Sequence, residues 1–427
     1  MGCLERYRLS RIINSPKARK LISKILFLLL FISFSLTQMY GLLVLLLFFI
    51  VLMLAALTRH HISVSRSDFT PYFFCGVFLI NFYGIGLGFI RGVGADVLLA
   101  NSKVFIFYPV VGFIIALLVK SLVSVRFIRQ VVFISGAVII LINLIAIYSF
   151  YSGVPVIPSS VSESGMLSFS IYDGRFILNS LNIASIPILF PFILYFVLYH
   201  SSYLADEKWS LGNRLASFLF LVLFIVLIAV SGRRGIWISS LFSFVALYSI
   251  SSWYRNKAVS VFKIVCGLII AVSLIIYFDM ASFYVSEFNV QSERSIQAKQ
   301  LLGGFFDFPL GNGIGSVFEH SRNKEAWIFE LTWHKLLADV GVFLVFLSLF
   351  FMMLLTLIFK ENRRILDQRE YIFSSVAIIA FAAVLIASAT NPYILNLDGF
   401  IAQGFLLGVF DGSKSRVRVQ VPSTLIS

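Results

Sequence analysis

The run LISKILFLLLFISFSLTQMYGLLVLLLFFIVLMLAAL, from Leu21 to Leu57, decides the architecture. Its 37 residues carry one charge, Lys24. A helix crosses the hydrocarbon core of a bilayer with ~20 apolar residues. The run is therefore too long for one crossing and fits two, with Gln38 and Gly41 marking the hairpin between them. Basic residues precede it, as in a signal peptide, but no small-residue cleavage site follows and a second apolar stretch comes at once. The first crossing reads as an uncleaved anchor.

Working outward, similar runs recur along the chain, rich in Leu, Ile, Val and Phe and without the strict alternation of a barrel strand. Backbone groups in lipid must be paired within their own segment, so the runs read as helices. The expected fold is all-α, a polytopic transmembrane helical bundle of about twelve spans. They fall at 21–36, 39–57, 72–90, 97–119, 131–150, 179–198, 215–231, 236–250, 261–278, 336–359, 372–389 and 396–410. The last is short and holds Gly399, Gln403 and Gly404, so a re-entrant course is the alternative. Composition agrees. The chain is 59% hydrophobic and 13% charged, where a soluble domain carries about 25% charged residues.

A net charge of +14 invites a nucleic-acid reading. Its distribution points elsewhere. With the N-terminus inside, 24 of the 34 Lys and Arg fall on the cytoplasmic side, loop after loop. This is the positive-inside rule, and it implies a bilayer partner and no nucleic acid. It places residues 1–20 and 411–427 as cytoplasmic tails. Spans one to nine occupy 21–278 with an outside loop at 151–178, a large outside loop covers 279–334, and the last three spans lie in 335–410. Cys3, Cys75 and Cys266 all avoid the outside loops, so no structural disulfide is expected. No CxxC or HExxH spacing is present, and no metal or other cofactor is expected.

Long loops in a compact protein usually carry function. The first outside loop ends in Tyr172-Asp-Gly-Arg175. The second, 56 residues long, holds a helical stretch near 291–303 and a Gly-rich turn, Pro309-Leu-Gly-Asn-Gly-Ile-Gly315, and ends in Trp327-Ile-Phe-Glu-Leu-Thr-Trp-His334. Positive charge persists there against the topological bias. Arg175, the Arg233–Arg234 pair and Lys335 all stand at span ends. Guanidinium groups at a membrane surface suit bidentate binding of phosphate or pyrophosphate. The competing reading is plain: interfacial Arg commonly snorkels to lipid headgroups. Equally, Gly311, Gly313 and Gly315 are a turn, and Glu330 pairs with Lys335 or caps the following helix.

Four local patterns together resemble the O-antigen polymerase and O-antigen ligase superfamily of bacterial envelope glycosyltransferases. Arg175-Phe-Ile-Leu-Asn-Ser-Leu-Asn182 resembles its outside Arg followed by an Asn that opens the next helix. Ser231-Gly-Arg-Arg-Gly235 is similar to its Ser-Arg-Gly turn, and Pro309-Leu-Gly-Asn-Gly-Ile-Gly-Ser316 to its Pro-x-x-G-x-G loop. Glu330-Leu-Thr-Trp-His-Lys-Leu-Leu-Ala-Asp-Val-Gly341 resembles the stretch entering the helix after the large loop. There are departures. Ligase-type members place a His eleven residues before the Gly matching Gly341, where this chain has Glu330. The Gly expected shortly after the first Arg is absent. The first departure favours a polymerase over a ligase.

The resemblance implies a C-type glycosyltransferase fold with a large periplasmic loop before the last three spans, in the bacterial inner membrane. It implies a polymerase that transfers a glycan from undecaprenyl pyrophosphate to the non-reducing end of another lipid-linked repeat unit at the periplasmic face. A chain-length regulator is a further partner. Arg175, Arg233 and Arg234 would bind the pyrophosphate, and the absence of Asp-x-Asp favours arginine over a bound metal. Trp327, Trp333 and Arg322 would line the sugar path. Glu330 and His334, four residues apart, would act as base and orienter, with His320 as the other imidazole in the loop. The alternatives are an O-antigen ligase and, from another class, a lipid-linked oligosaccharide flippase. Transporters commonly show internal repeats and midplane charge; no repeat is evident, and Lys103 is the only clear charge within a span.

Overall fold

The structure is a computed structural model that describes residues 16–57, 65, 68–154, 156, 168–172, 175–179, 183–198, 211–231, 233–253, 293–319, 331–389 and 393–420. The first run forms helices α1 (Pro16–Ser35) and α2 (Thr37–Leu57), packed on each other. The break falls at Leu36, and Gln38 and Gly41 lie inside α2 rather than at the turn. Next come α3 (Thr70–Ile90), α4 (Ala95–Ser102), a π-helical turn (Lys103–Phe107), α5 (Tyr108–Leu122) and α6 (Val125–Ser152). Strands β1 (Ser168–Tyr172) and β2 (Arg175–Asn179) follow, then α7 (Ile186–Leu198), α8 (Leu211–Val230) and α9 (Arg234–Trp253). The C-terminal part holds α10 (Glu293–Asp307), α11 (Thr332–Val340), α12 (Val342–Ile365), α13 (Gln368–Ala387) and α14 (Leu397–Gln420).

Among the described residues, five helices are long and apolar enough to cross a membrane: Thr70–Ile90, Ala95–Leu122 counted through its π turn, Val125–Ser152, Val342–Ile365 and Gln368–Ala387. The chain is a helical membrane protein. The expected ninth span, 261–278, lies outside the described residues. Three expectations change. The loop 151–178 contains an antiparallel hairpin that pairs Ser168 with Asn179 and Tyr172 with Arg175, so the sixth apolar helix starts at Ile186 and not at 179. The tenth segment, 336–359, is divided by Gly341, which stands at φ 65° and ends α11 before α12 begins. A Cβ there would lie 2.2 Å from the carbonyl oxygen of Pro309, so the loop occupies the space a side chain would need. The last segment is one helix running on to Gln420, well past 410.

Glycine explains that last helix. α14 makes the most extensive helix pairing, against α5. Added Cβ atoms at Gly404 and Gly408 would lie 2.1 Å from Gly112 O and 2.5 Å from Ala116 O. Gly404-x-x-x-Gly408 thus faces Gly112-x-x-x-Ala116. Small residues at this spacing let two backbones approach closely in a membrane, where apolar surface alone gives helices no reason to associate. In the centre of the bundle, α7 is buried on every side from Ile186 to Phe196 and packs against α6, α8, α9 and α13.

Polar groups join the helices at one end of the bundle. α3 has no side-chain cap of its own. Instead the carboxylate of Asp411, on α14, accepts from the amides of Phe69 and Thr70 at 2.9 Å each. Beside it, Lys120 at the end of α5 donates to Asp68 at 2.5 Å, with both side chains about 5% exposed or less. These acids compensate the positive N-terminal end of α3 and tie α3 to α5 and α14. Ser124 caps α6 by accepting from Phe127 N, and Asp367 caps α13 by accepting from Glu370 N. At the π turn the side chain of Asn81 donates to Phe105 O.

Gly404→Leu is expected to force α14 off α5 and to lower stability by ~1–3 kcal/mol or more. Gly303→Ala, at an open position on α10, should be neutral or stabilising by up to ~1 kcal/mol. Thermal unfolding in detergent, followed by size-exclusion chromatography, separates the two. Asp411→Ala should destabilise more than Asp411→Asn in the same assay, because the amide still accepts one of the two N–H bonds.

Candidate functional site

The opposite end of the bundle, where α3 and α6 finish, carries the hairpin, α10, α11 and the Gly-rich turn. The hairpin lies against the helix ends, β1 touching α6 and β2 touching α8. Arg175 opens β2 opposite Tyr172, so the strand that carries it sits beside the helix leading to Arg233. α8 closes at Ser231, whose buried hydroxyl donates to Ile228 O, and the Trp237 indole donates to that same carbonyl at 2.7 Å. This two-sided cap fixes the turn into α9. Arg233 is half-buried there, and its Nη1 donates to the Tyr393 hydroxyl at 3.1 Å. Arg234 is the first residue of α9.

Tyr393 opens a short 3₁₀ turn, Tyr393–Leu395, that packs on both α13 and α14. Gln403 of α14 donates to Ile394 O and holds the turn in place. From the other side, the indole of Trp333 on α11 donates to Leu385 O near the end of α13 at 3.1 Å. Since α9 also packs along α13, Arg233, Tyr393 and Trp333 converge on one helix end. His334 follows Trp333. It is half-buried, its Nδ1 has no partner among the described residues, and burial lowers its pKa from the usual 6.5. At neutral pH it is an uncharged imidazole able to accept a proton. Tyr393 is the member that sequence reasoning missed. No motif marks it, because its role arises from the 3₁₀ turn that brings residue 393 to residue 233.

The Gly-rich turn does something other than cradle an anion. Gly311, Gly313 and Gly315 all have positive φ, at 104°, 91° and 92°. The amides of residues 311 to 314 are all engaged within the fold. Asn312 N donates to Ala338 O, Gly313 N to Asp339 O and Ile314 N to Gly84 O, each at 2.8 Å, and Gly311 N donates back to Phe308 O. The first two bonds satisfy the last carbonyls of α11, which a helix otherwise leaves bare. The third ties the loop to α3. Close approach is what selects glycine at 313, where a Cβ would sit 2.3 Å from Gly88 N. The turn is a clasp between α3 and α11.

Lys335 has partners both within α11 and in the clasp. It is buried, it pairs with Asp339 one turn along α11, and it donates to Ser316 O at 3.2 Å. Its ammonium lies 5.0 Å from the Phe318 ring centroid. Burial pushes Asp339 up to about 6, against the opposing pull of Lys335. Glu330, His320, Arg322 and Trp327 lie outside the described residues, as do the side chains of Arg175 and Arg234. No group of three or more His, Cys, Asp or Glu arranged to hold a metal ion occurs among the described residues. No protein-family model, curated protein or solved structure matches the chain. Its class therefore rests on its own architecture: a helical membrane protein with a cationic and aromatic cluster gathered at one end of its bundle.

Lys335→Met should leave Asp339 buried without a cation and destabilise the protein by ~3–5 kcal/mol. The sign with pH follows from Asp339. In the wild type its folded pKa lies above the unfolded 3.8. The folded state then binds more protons between about pH 4 and 6, and this group's contribution to stability falls as pH rises through that window. Removing Lys335 takes away the pull that lowers the Asp339 pKa, so the fall should extend above pH 6. Unfolding melts from pH 4 to 8 on wild type and Lys335→Met test it; coincident curves would rule it out.

Proposed function

We propose that the protein is a membrane glycosyltransferase of the O-antigen polymerase type. In this reading it lies in the bacterial inner membrane with about twelve spans and both termini cytoplasmic. The loop-bearing end of the bundle faces the periplasm. The observation that carries the reading is the convergence of Arg233, Tyr393 and Trp333 on the end of α13, with half-buried His334 next along α11. It joins guanidinium for a diphosphate, indole for sugar faces and a neutral imidazole at one membrane-proximal place. The positive-inside charge pattern and the order of the four family-like patterns support it further.

The chemistry is a substitution at an anomeric carbon. A hydroxyl oxygen of the incoming lipid-linked unit attacks that carbon and forms the new glycosidic bond. The bond from the carbon to the phosphate oxygen breaks, and undecaprenyl pyrophosphate leaves with the electron pair. The hydroxyl proton passes to a base, either Glu330 or His334. Arg175, Arg233 and Arg234 stabilise the charge that builds on the departing diphosphate, the kind of positioned electrostatics that contributes most to many enzymes. The base adds typically ~10²–10⁴-fold. Trp327, Trp333 and Arg322 hold the glycan. A chain-length regulator is a natural partner for such an enzyme.

Deletion of the gene followed by electrophoresis of surface polysaccharide tests the reading. A polymerase mutant leaves one repeat unit on the core, a ligase mutant leaves none, and a flippase mutant blocks export of single units too. In complemented strains, Arg233→Ala/Arg234→Ala is expected to collapse the polymer ladder, and Lys at these positions should restore it incompletely, because an ammonium lacks the bidentate fork. Glu330→Gln should abolish the ladder if Glu330 is the base. If His334 is the base, its lowered pKa should keep polymerisation in membranes active below pH 6.5. A normal ladder in the double arginine mutant at normal expression would refute diphosphate binding by this pair.

A further inference from the structure

An apolar groove of about 440 Å³ runs between α3 and α12, walled by Gly76, Leu79 and Tyr83 on one side and Phe343, Phe346 and Phe350 on the other. Both helices belong to the membrane-spanning set, and only 6% of the apolar window of α12 is buried in the protein, so the groove opens towards lipid. Its floor exists because α3 carries no side chain at 76. A Cβ there would meet Phe351 at 2.6 Å and Leu347 at 2.7 Å. At its upper end the Tyr83 ring lies 4.5 Å from that of Phe343. The Tyr83 hydroxyl donates to Leu310 O of the clasp at 2.6 Å. Apolar surface continues beyond through exposed Leu310 and Phe308 and ends in a cation. The guanidinium of Arg91, exposed at the close of α3, stands 4.1 Å over the Phe308 ring.

Length selects the occupant. Gly76 lies fifteen residues before Arg91 on α3, roughly 22 Å at the helical rise. The hydrocarbon core is ~30 Å thick, so one leaflet is roughly 15 Å deep. An acyl chain whose headgroup sits at the level of Arg91 ends near the midplane and fills only the top of the groove. A polyprenyl chain is long enough to reach the floor at Gly76. The groove is also built from helices other than the one that follows Arg233. α9 packs on α13 and α7, while α3 packs on α5, α11, α12 and α14.

We infer that the α3–α12 groove holds the polyprenyl chain of the acceptor lipid-linked unit, with its diphosphate at Arg91. This rests on the polymerase reading, in which two polyprenyl-linked units must be bound at once. The diphosphate that departs accumulates charge and calls for the arginine pair. The acceptor diphosphate stays bonded throughout, and one guanidinium set over an aromatic ring is sufficient to hold it in register.

The test uses the full-length protein in nanodiscs and a diazirine-bearing undecaprenyl pyrophosphate, with labelled peptides mapped by mass spectrometry. Labelling of α3 and α12 peptides is expected. Unlabelled undecaprenyl pyrophosphate should compete it away, and an equal amount of phosphatidylglycerol should not. Leu79→Trp, at an exposed wall position tolerant of size, should reduce groove labelling about tenfold by filling the space. Arg91→Ala should reduce it severalfold at the same expression level. If a diazirine phosphatidylglycerol labels the groove equally and competes with the probe, the groove is an ordinary lipid site and the inference is overturned. Labelling confined to peptides around α9 and α13 would sink the groove while leaving the polymerase reading standing. No specific labelling of the protein at all would sink both.

Discussion

The carboxylate of Asp411 caps α3 across 342 residues of sequence, and much of the bundle depends on that bond. A helix start leaves four amides without partners, and in a membrane no water is present to serve them. α3 supplies no cap from its own sequence. It therefore has to bring its first turn to α14, where Asp411 waits, and to α5, where Lys120 pairs with Asp68. With that end fixed, the glycine faces of α5 and α14 close on each other. Buried charge of this kind is costly to assemble and costlier to disrupt, which makes the arrangement specific.

α3 carries the constraint to its far end. There Gly84 accepts the amide of Ile314 and Gly88 leaves room for Gly313, so the clasp is seated on the same helix that Asp411 secures. The clasp in turn supplies the last carbonyls of α11 with donors. α11 then presents Trp333 to α13 on one side and holds Lys335 and Asp339 inside on the other. One strut thus links the charged cluster at one end of the bundle to the position of His334 at the other. The coupling is mechanical: packed helices and backbone hydrogen bonds whose removal at either end reaches the site.

Segment by segment, helices were legible wherever a run was long and apolar. The breaks were not. The turn between α1 and α2 falls at Leu36, although polar Gln38 and flexible Gly41 were the better markers by chemistry. The tenth segment reads as one span, yet Gly341 divides it, because the loop crossing behind it comes from Pro309 to Gly311, far earlier in the chain and invisible to a local window. The hairpin at 168–179 falls inside an expected loop because its strands, Ser168–Tyr172 and Arg175–Asn179, are short beside the long apolar runs on either side. Glycines at 399 and 404 look like weakness in a helix and prove to be its packing surface.

What the sequence determined by itself was the solvent. Runs of apolar residues of crossing length require lipid around them and helices within it, and the arginines that persist at span ends mark where polar chemistry is concentrated. It could not say which faces meet lipid and which meet protein, since in a bilayer both are apolar. α7 and the apolar stretch of α12 from Val342 to Phe359 both lack charge, but one is wrapped on every side and the other is bare along its span. Only packing decides between them. Tertiary structure likewise made the Gly-rich turn a clasp, by pairing its amides with carbonyls of α3 and α11. It also set Tyr393 against Arg233, a contact between residues 160 apart that depends on helix ends converging in space and on nothing local to either residue.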